Sequence, residues 1–135
     1  MAVTTRVDVE LLTNPRGQLK VPHDPRFAEI LKRLYRTRLS GGRAGTFTAV
    51  LMPEAAAEGD PNPVAVIAAG PGKIGTLAPE DAERWHELLT DFKSRTGKHV
   101  ACNARLVGKH VDDPSLHAVL EVVPEDVSEF EPEES

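Results

Sequence analysis

Aromatic side chains make up only 4% of this 135-residue chain, cysteine occurs once, and the longest apolar run stretches only from Val64 to Ala69. Each shortage excludes something. A lone Cys102 cannot close an internal disulfide, and with no charged-then-apolar leader in front it points to a reducing compartment. The apolar run is far short of the ~20 residues a membrane-spanning helix needs. A bacterial-type cytoplasmic protein without membrane association is therefore expected, and the abundance of Ala, Arg, Gly and Pro fits a GC-rich genome. Scarce rings also leave few platforms on which bases might stack. The length fits one domain with a core of its own. That domain is assigned to residues 1–123, with residues 124–135 as an acidic tail expected to be mobile.

Charge is distributed unevenly along the chain. The net charge is −5, but six acids and no base lie from Pro124 onward, which leaves 16 basic residues against 15 acidic ones elsewhere. Between Asn14 and Gly45, Arg16, Lys20, Arg26, Lys32, Arg33, Arg36, Arg38 and Arg43 face only Asp24 and Glu29, a local balance of +6. Such a segment suits phosphates, or it is simply the solvated side of a helix. If it does bind nucleic acid, the acidic tail is expected to compete for it.

The stretch from Asp60 to Phe92 organises the remainder. Val64 to Ala69 is a run of small and β-branched residues suited to a strand. Gly70-Pro71-Gly72-Lys73 is turn chemistry, so the chain is expected to reverse into a strand from Lys73 to Leu77. Pro79 with Glu80 and Asp81 then opens a helix whose buried stripe is Ala82, Trp85, Leu89 and Phe92. Gly70 to Gly75 also spells GxGxxG, the letters of a dinucleotide-binding turn. That turn requires the helix to open inside the glycines, whereas Pro79 places it beyond them, so the glycines read as a hairpin.

Elsewhere, alternation predicts a strand over Arg6 to Leu12, a short extended piece over Leu19 to Pro22, and further strands over Thr46 to Met52, His99 to Val107 and Ser115 to Val123. Asp24-Pro25 caps a helix running to about Arg38, with Phe27, Ile30, Leu31 and Leu34 as its apolar stripe. Six or seven short strands and two helices without βαβ alternation predict an α+β chain. Its sheet should be a small, mainly antiparallel, OB-like β-barrel of about six strands with the two helices packed on it.

These residues in this order resemble the HIRAN domain over about residues 19 to 123. The resemblance lies in a helix, a strand ending in Met52-Pro53-Glu54, then Asp60-Pro61-Asn62-Pro63-Val64, then Ile74-Gly75-Thr76-Leu77 and a helix entered by Ala78-Pro79-Glu80. The family is a modified OB-like barrel, found alone in bacteria or fused to DNA-remodelling helicases, that recognises single-stranded DNA and free 3′ ends. The resemblance implies a non-enzymatic module for single-stranded DNA or DNA 3′ ends, linked to DNA repair or remodelling, with no cofactor and with a helicase or nuclease as partner. Together with the basic segment it nominates His23, Arg33, Arg36, Arg38, Arg43, Asp60, Asn62 and Lys73 as nucleic-acid contacts. Two departures stand out. The tyrosine usual before the shared aspartate is replaced by Ala57-Glu58-Gly59, and the first-strand aromatic is absent, leaving His23 as the ring nearest that position. The alternative is a barrel of this kind without a nucleic-acid site, serving protein interaction or assembly.

Catalytic readings find little to build on. Cys102 falls on the apolar side of its strand between Val100 and Ala104, as a packed thiol does. His99, His110 and His117 lack zinc-ligand spacing. No catalytic or metal-ligating set is expected.

Overall fold

A computed structural model describes residues 8–40, 46–56 and 62–131, apart from the side chains of 37–40. Within these residues lie seven strands: β1 (Val9–Leu11), β2 (Leu19–Val21), β3 (Thr46–Pro53), β4 (Val64–Ala68), β5 (Gly72–Thr76), β6 (His99–Val107) and β7 (His117–Leu120). Three helices accompany them: α1 (Ala28–Ser40), entered through a 3-10 turn at Pro25–Phe27, α2 (Pro79–Thr96) and α3 (Pro124–Ser128). The strands form one curled sheet in the order β2-β7-β6-β3-β4-β5, with β1 added beside β6. All pairings are antiparallel except β1 with β6. This is the small α+β, OB-like arrangement expected from the strand count.

The Asp60–Phe92 stretch folds as its turn chemistry dictates. Strands β4 and β5 pair antiparallel across a tight connection in which Gly70 and Gly72 take φ of 97° and 110°, backbone angles that side chains with a Cβ resist. Helix α2 then begins at Pro79, outside the glycines, and the GxGxxG letters have no helix terminus to offer a phosphate.

One face of the sheet carries the core. Phe47, Ala49 and Leu51 on β3 are in register with Ala104, Cys102 and Val100 on β6, and Ala49 and Leu51 with Ala68 and Val66 on β4, all buried. Onto this face α2 lowers Ala82, Trp85, Leu89 and Phe92, its i, i+3, i+4 stripe. Leu31 and Leu34 of α1 enter the same cluster. Among the described residues no ladder joins β2 to β5, the two ends of the sheet path, yet they touch: a Cβ on Gly75 would stand 2.9 Å from Cγ1 of Val21. The Val21 side chain lies against the Gly75 backbone there, and the curled sheet remains a half-barrel.

Strand β6 is shared three ways. β3 takes one edge; on the other, β1 pairs with His99 to Ala101 and β7 with Ala104 to Val107. At the handover the Asn103 N–H donates to the Thr13 hydroxyl (2.9 Å) and the Asn103 carbonyl accepts from the Glu121 N–H (2.8 Å), so neither group is left unpaired. The Asn14–Gly17 turn beside it lies so close to the chain after β7 that a Cβ on Gly17 would stand 2.3 Å from the Val122 nitrogen.

Two expectations are corrected. Residues 124–131 do not trail off: α3 buries Val127, and Phe130 meets Phe92 at a ring separation of 5.3 Å. Arg95 of α2 holds them by donating to the Phe130 and Val127 carbonyls at 2.7 and 3.2 Å. Two apolar residues in an otherwise acidic stretch suffice once a guanidinium meets the backbone between them. The second correction is the strand over Ser115 to Val123, which contracts to His117–Leu120 because Asp113 organises the preceding turn by accepting from the Lys109 and Ser115 N–H groups. Arg6 and Val7 of the expected first strand lie outside the described residues.

The handover at Asn103 generates a test. Thr13→Val keeps the shape and removes the acceptor, leaving a partly buried N–H unpaired, and is expected to lower unfolding free energy by about 1–3 kcal/mol. Thr13→Ser should retain most of the wild-type value. Urea denaturation of the two variants decides, and equal midpoints would dismiss a role for the hydroxyl.

Candidate nucleic-acid interface

An aromatic ring and two cationic side chains gather where the entrance to α1 meets β5. Asp24 caps the 3-10 turn by accepting from the Arg26 N–H at 3.0 Å, and Pro25 supplies a pre-set φ at its first position. The cap brings the Arg26 guanidinium onto the same carboxylate, with Nη2 donating to Oδ2 at 2.7 Å and Nε at 3.1 Å. That guanidinium holds the Asp24 carboxyl below the usual carboxylate range. It also stands 5.4 Å from the centroid of the Phe27 ring, and Lys73 of β5 approaches the same ring at 5.8 Å. Phe27 is only half-buried. The stripe expected to bury it in full instead leaves it at the rim, because it belongs to the 3-10 turn and not to α1.

Lys73 is held by a second carboxylate: its ammonium lies 3.1 Å from Oε1 of the exposed Glu54. Glu54 is a junction. Its N–H donates to the Pro63 carbonyl at 2.8 Å, and its carbonyl accepts from His86 Nε2 at 2.9 Å. The result is a half-exposed ring with two cations, each matched to a resident anion.

Of the nominated residues, Lys73 is part of this cluster and His23 flanks it. The His23 ring is fixed by donating from Nδ1 to the Leu116 carbonyl at 2.7 Å, which leaves Nε2 to face other groups. Arg33 and Arg36 are exposed on α1, and among the described residues neither has an acidic side chain within ion-pair distance. Lys32, by contrast, is drawn to Glu29 and Asp112 at 3.7 and 3.5 Å. Asn62 lies elsewhere, in a shallow depression with Glu83, His86, Glu87, Thr90 and Asp91, an acidic surrounding ill suited to phosphate. Arg43 and Asp60 lie outside the described residues, as does the side chain of Arg38.

Sequence reasoning does not single out Phe27, Arg26 or Glu54 as site residues. The Asp24–Arg26 contact is local and follows from the cap, but the meeting of Phe27 with Lys73 depends on how α1 crosses β5. Two further histidines have partners of their own. His117 donates from Nδ1 to the Ser115 carbonyl, and His99 accepts from Lys93 at 3.4 Å and is shifted downward by burial and by that neighbour. Among the described residues no three His, Cys, Asp or Glu side chains come together as metal ligands would.

Comparison of the chain with protein-family models, curated proteins and solved structures finds no match.

Cys102 is completely buried on β6, and burial, helped by the charge of Glu121, pushes its thiol up to about 12. Alkylation of the native protein at pH 9 should therefore run at least several hundredfold slower than that of the urea-unfolded chain, because the thiolate is the reacting species. Comparable rates in the two states would show that the strand opens freely. The same shift gives a stability term that is full below the ordinary thiol pKa and lost as pH climbs from there towards 12.

Proposed function

We propose that the face formed by Arg26, Phe27 and Lys73, flanked by His23 and extended along α1 by Arg33 and Arg36, binds single-stranded nucleic acid. The module would be HIRAN-like and non-enzymatic, serving single-stranded DNA or DNA 3′ ends in repair or remodelling alongside a helicase or nuclease. The observation that carries this reading is the Phe27 ring, half-exposed and bracketed by two cations at 5.4 and 5.8 Å. A base has a π-face to lay on such a ring, and the adjoining phosphates meet the guanidinium and the ammonium. Arg33 and Arg36, exposed and without an acidic partner within ion-pair distance among the described residues, add positive charge on the helix that follows this turn.

The resident carboxylates favour a second reading. Asp24 and Glu54 already satisfy the two cations beside Phe27. A phosphate must displace them, whereas a protein partner can leave them in place, and this supports the interaction or assembly module.

Fluorescence anisotropy with short labelled DNA strands bearing free or blocked 3′ ends, at two salt concentrations, separates the two. Phe27→Ala is expected to weaken binding by ~1–3 kcal/mol, the value of one stacked base. Arg33→Glu with Arg36→Glu should weaken every sequence alike and flatten the salt dependence by about 0.7 in log–log slope for each phosphate no longer neutralised. Wild-type protein that shows no binding even at low salt would end the nucleic-acid reading in favour of the interaction module.

A further inference from the structure

The connection between β6 and β7, residues 108–116, is closed upon itself by more bonds than a turn requires. The Asp113 carboxylate accepts from the Lys109 and Ser115 N–H groups at 2.7 and 2.9 Å and from the Ser115 hydroxyl at 2.7 Å. Two backbone bonds join them: the Asp113 N–H donates to the His110 carbonyl at 3.1 Å, and the Leu116 N–H to the Asp113 carbonyl at 3.0 Å. Its two ends press together, for a Cβ on Gly108 would stand 2.7 Å from Cδ1 of Leu116. The loop is also clamped to the entrance of α1. His23, just before Phe27 in the chain, donates from Nδ1 to the Leu116 carbonyl at 2.7 Å, and Lys32, just after it, lies 3.5 Å from Oδ1 of Asp112. Two side chains stay outside all of this. Lys109 and His110 are exposed, and among the described residues neither side chain makes a hydrogen bond or an ion pair. The nearest acids in the chain are already engaged, Asp112 by Lys32 and Asp113 by donors of the loop itself.

We infer, resting on the nucleic-acid reading of the Phe27 face, that this loop is its second arm: a single strand with a base on Phe27 continues over His23 to the loop, where Lys109 meets a phosphate and His110 stacks a further base. Lys73 stands on β5, whereas the loop leads into β7, the partner of β2. The arm therefore crosses the open side of the half-barrel, where Val21 meets Gly75. Contacts made from a loop already fixed in shape lose little to ordering on binding, so a lysine and an imidazole carried by it contribute more than the same groups on a free end. The imidazole offers a base its flat face and needs no charge to do so.

Fluorescence anisotropy with a short labelled oligothymidylate and lysine acetylation read by mass spectrometry, both on the full chain, test the arm. Lys109→Gln should weaken binding at least about threefold at low salt and reduce the log–log salt slope by about 0.7, the share of one phosphate on a single strand. His110→Ala should weaken it at least about fivefold, the low end for one stacked base, with the salt slope unchanged. Both variants should melt as the wild type does, since neither side chain holds the loop together. Lys98→Gln, the same loss of charge at the opposite end of β6, should leave the affinity unaltered. In the bound wild type Lys73 and Lys109 should be protected from acetylation and Lys98 should not. The arm is overturned, with the Phe27 face intact, if Phe27→Ala weakens binding while Lys109→Gln and His110→Ala behave as Lys98→Gln does. Wild-type protein that binds no strand at low salt overturns face and arm together.

Discussion

Strand β6 has two edges and three strands to satisfy. β3 occupies one edge, and the other is divided between β1 and β7, with Asn103 at the boundary. An extended backbone cannot leave a donor and an acceptor idle at such a boundary, and here a threonine hydroxyl from the β1–β2 connection and an N–H from beyond β7 occupy the gap. Much else is arranged around that solution. The Asn14 turn must lie flat against Glu121 and Val122, which is why position 17 has no room for a side chain. The Asn14 amide in turn reaches Asp126 at 3.0 Å and ties α3 to the same corner.

Elements defined by local chemistry are legible in the sequence. The hairpin over β4 and β5, the start of α2 at Pro79, its buried stripe and the full length of β6 all follow from turn residues and periodicity. What sequence cannot supply is decided at a distance. Nothing in Val9-Glu10-Leu11 announces a parallel partner ninety residues later, and the acids of residues 124–131 mask the two apolar side chains, Val127 and Phe130, that dock. In each case the deciding contact joins segments far apart in the chain, and composition averages over it.

The candidate face divides along the same line. Charge and resemblance nominate His23, Arg33, Arg36 and Lys73, and of these Lys73 reaches the cluster at Phe27. Phe27 itself follows a helical stripe in the sequence and would be assigned to the core. The 3-10 turn, imposed by Asp24 and Pro25, rotates it out of that stripe, so a capping residue decides the exposure of an aromatic three positions on. Glu54 lies in a stretch of small and acidic residues with no periodicity, and only the fold shows it to be a junction between β5, α2 and the chain before β4.

The position of β6 late in the chain also sets the order in which a growing polypeptide can find its shape. Before residue 99 emerges, β3, β4, β5 and α2 form a contiguous block with sequential pairings and can collapse onto one another. β1 and β2 have no such neighbours. Their partners, β6 and β7, follow some ninety residues later, so β1 and β2 wait for them with their edges open. A chain held before β6 and β7 emerge therefore carries the edges of β1 and β2 without the strands that pair with them in the finished fold.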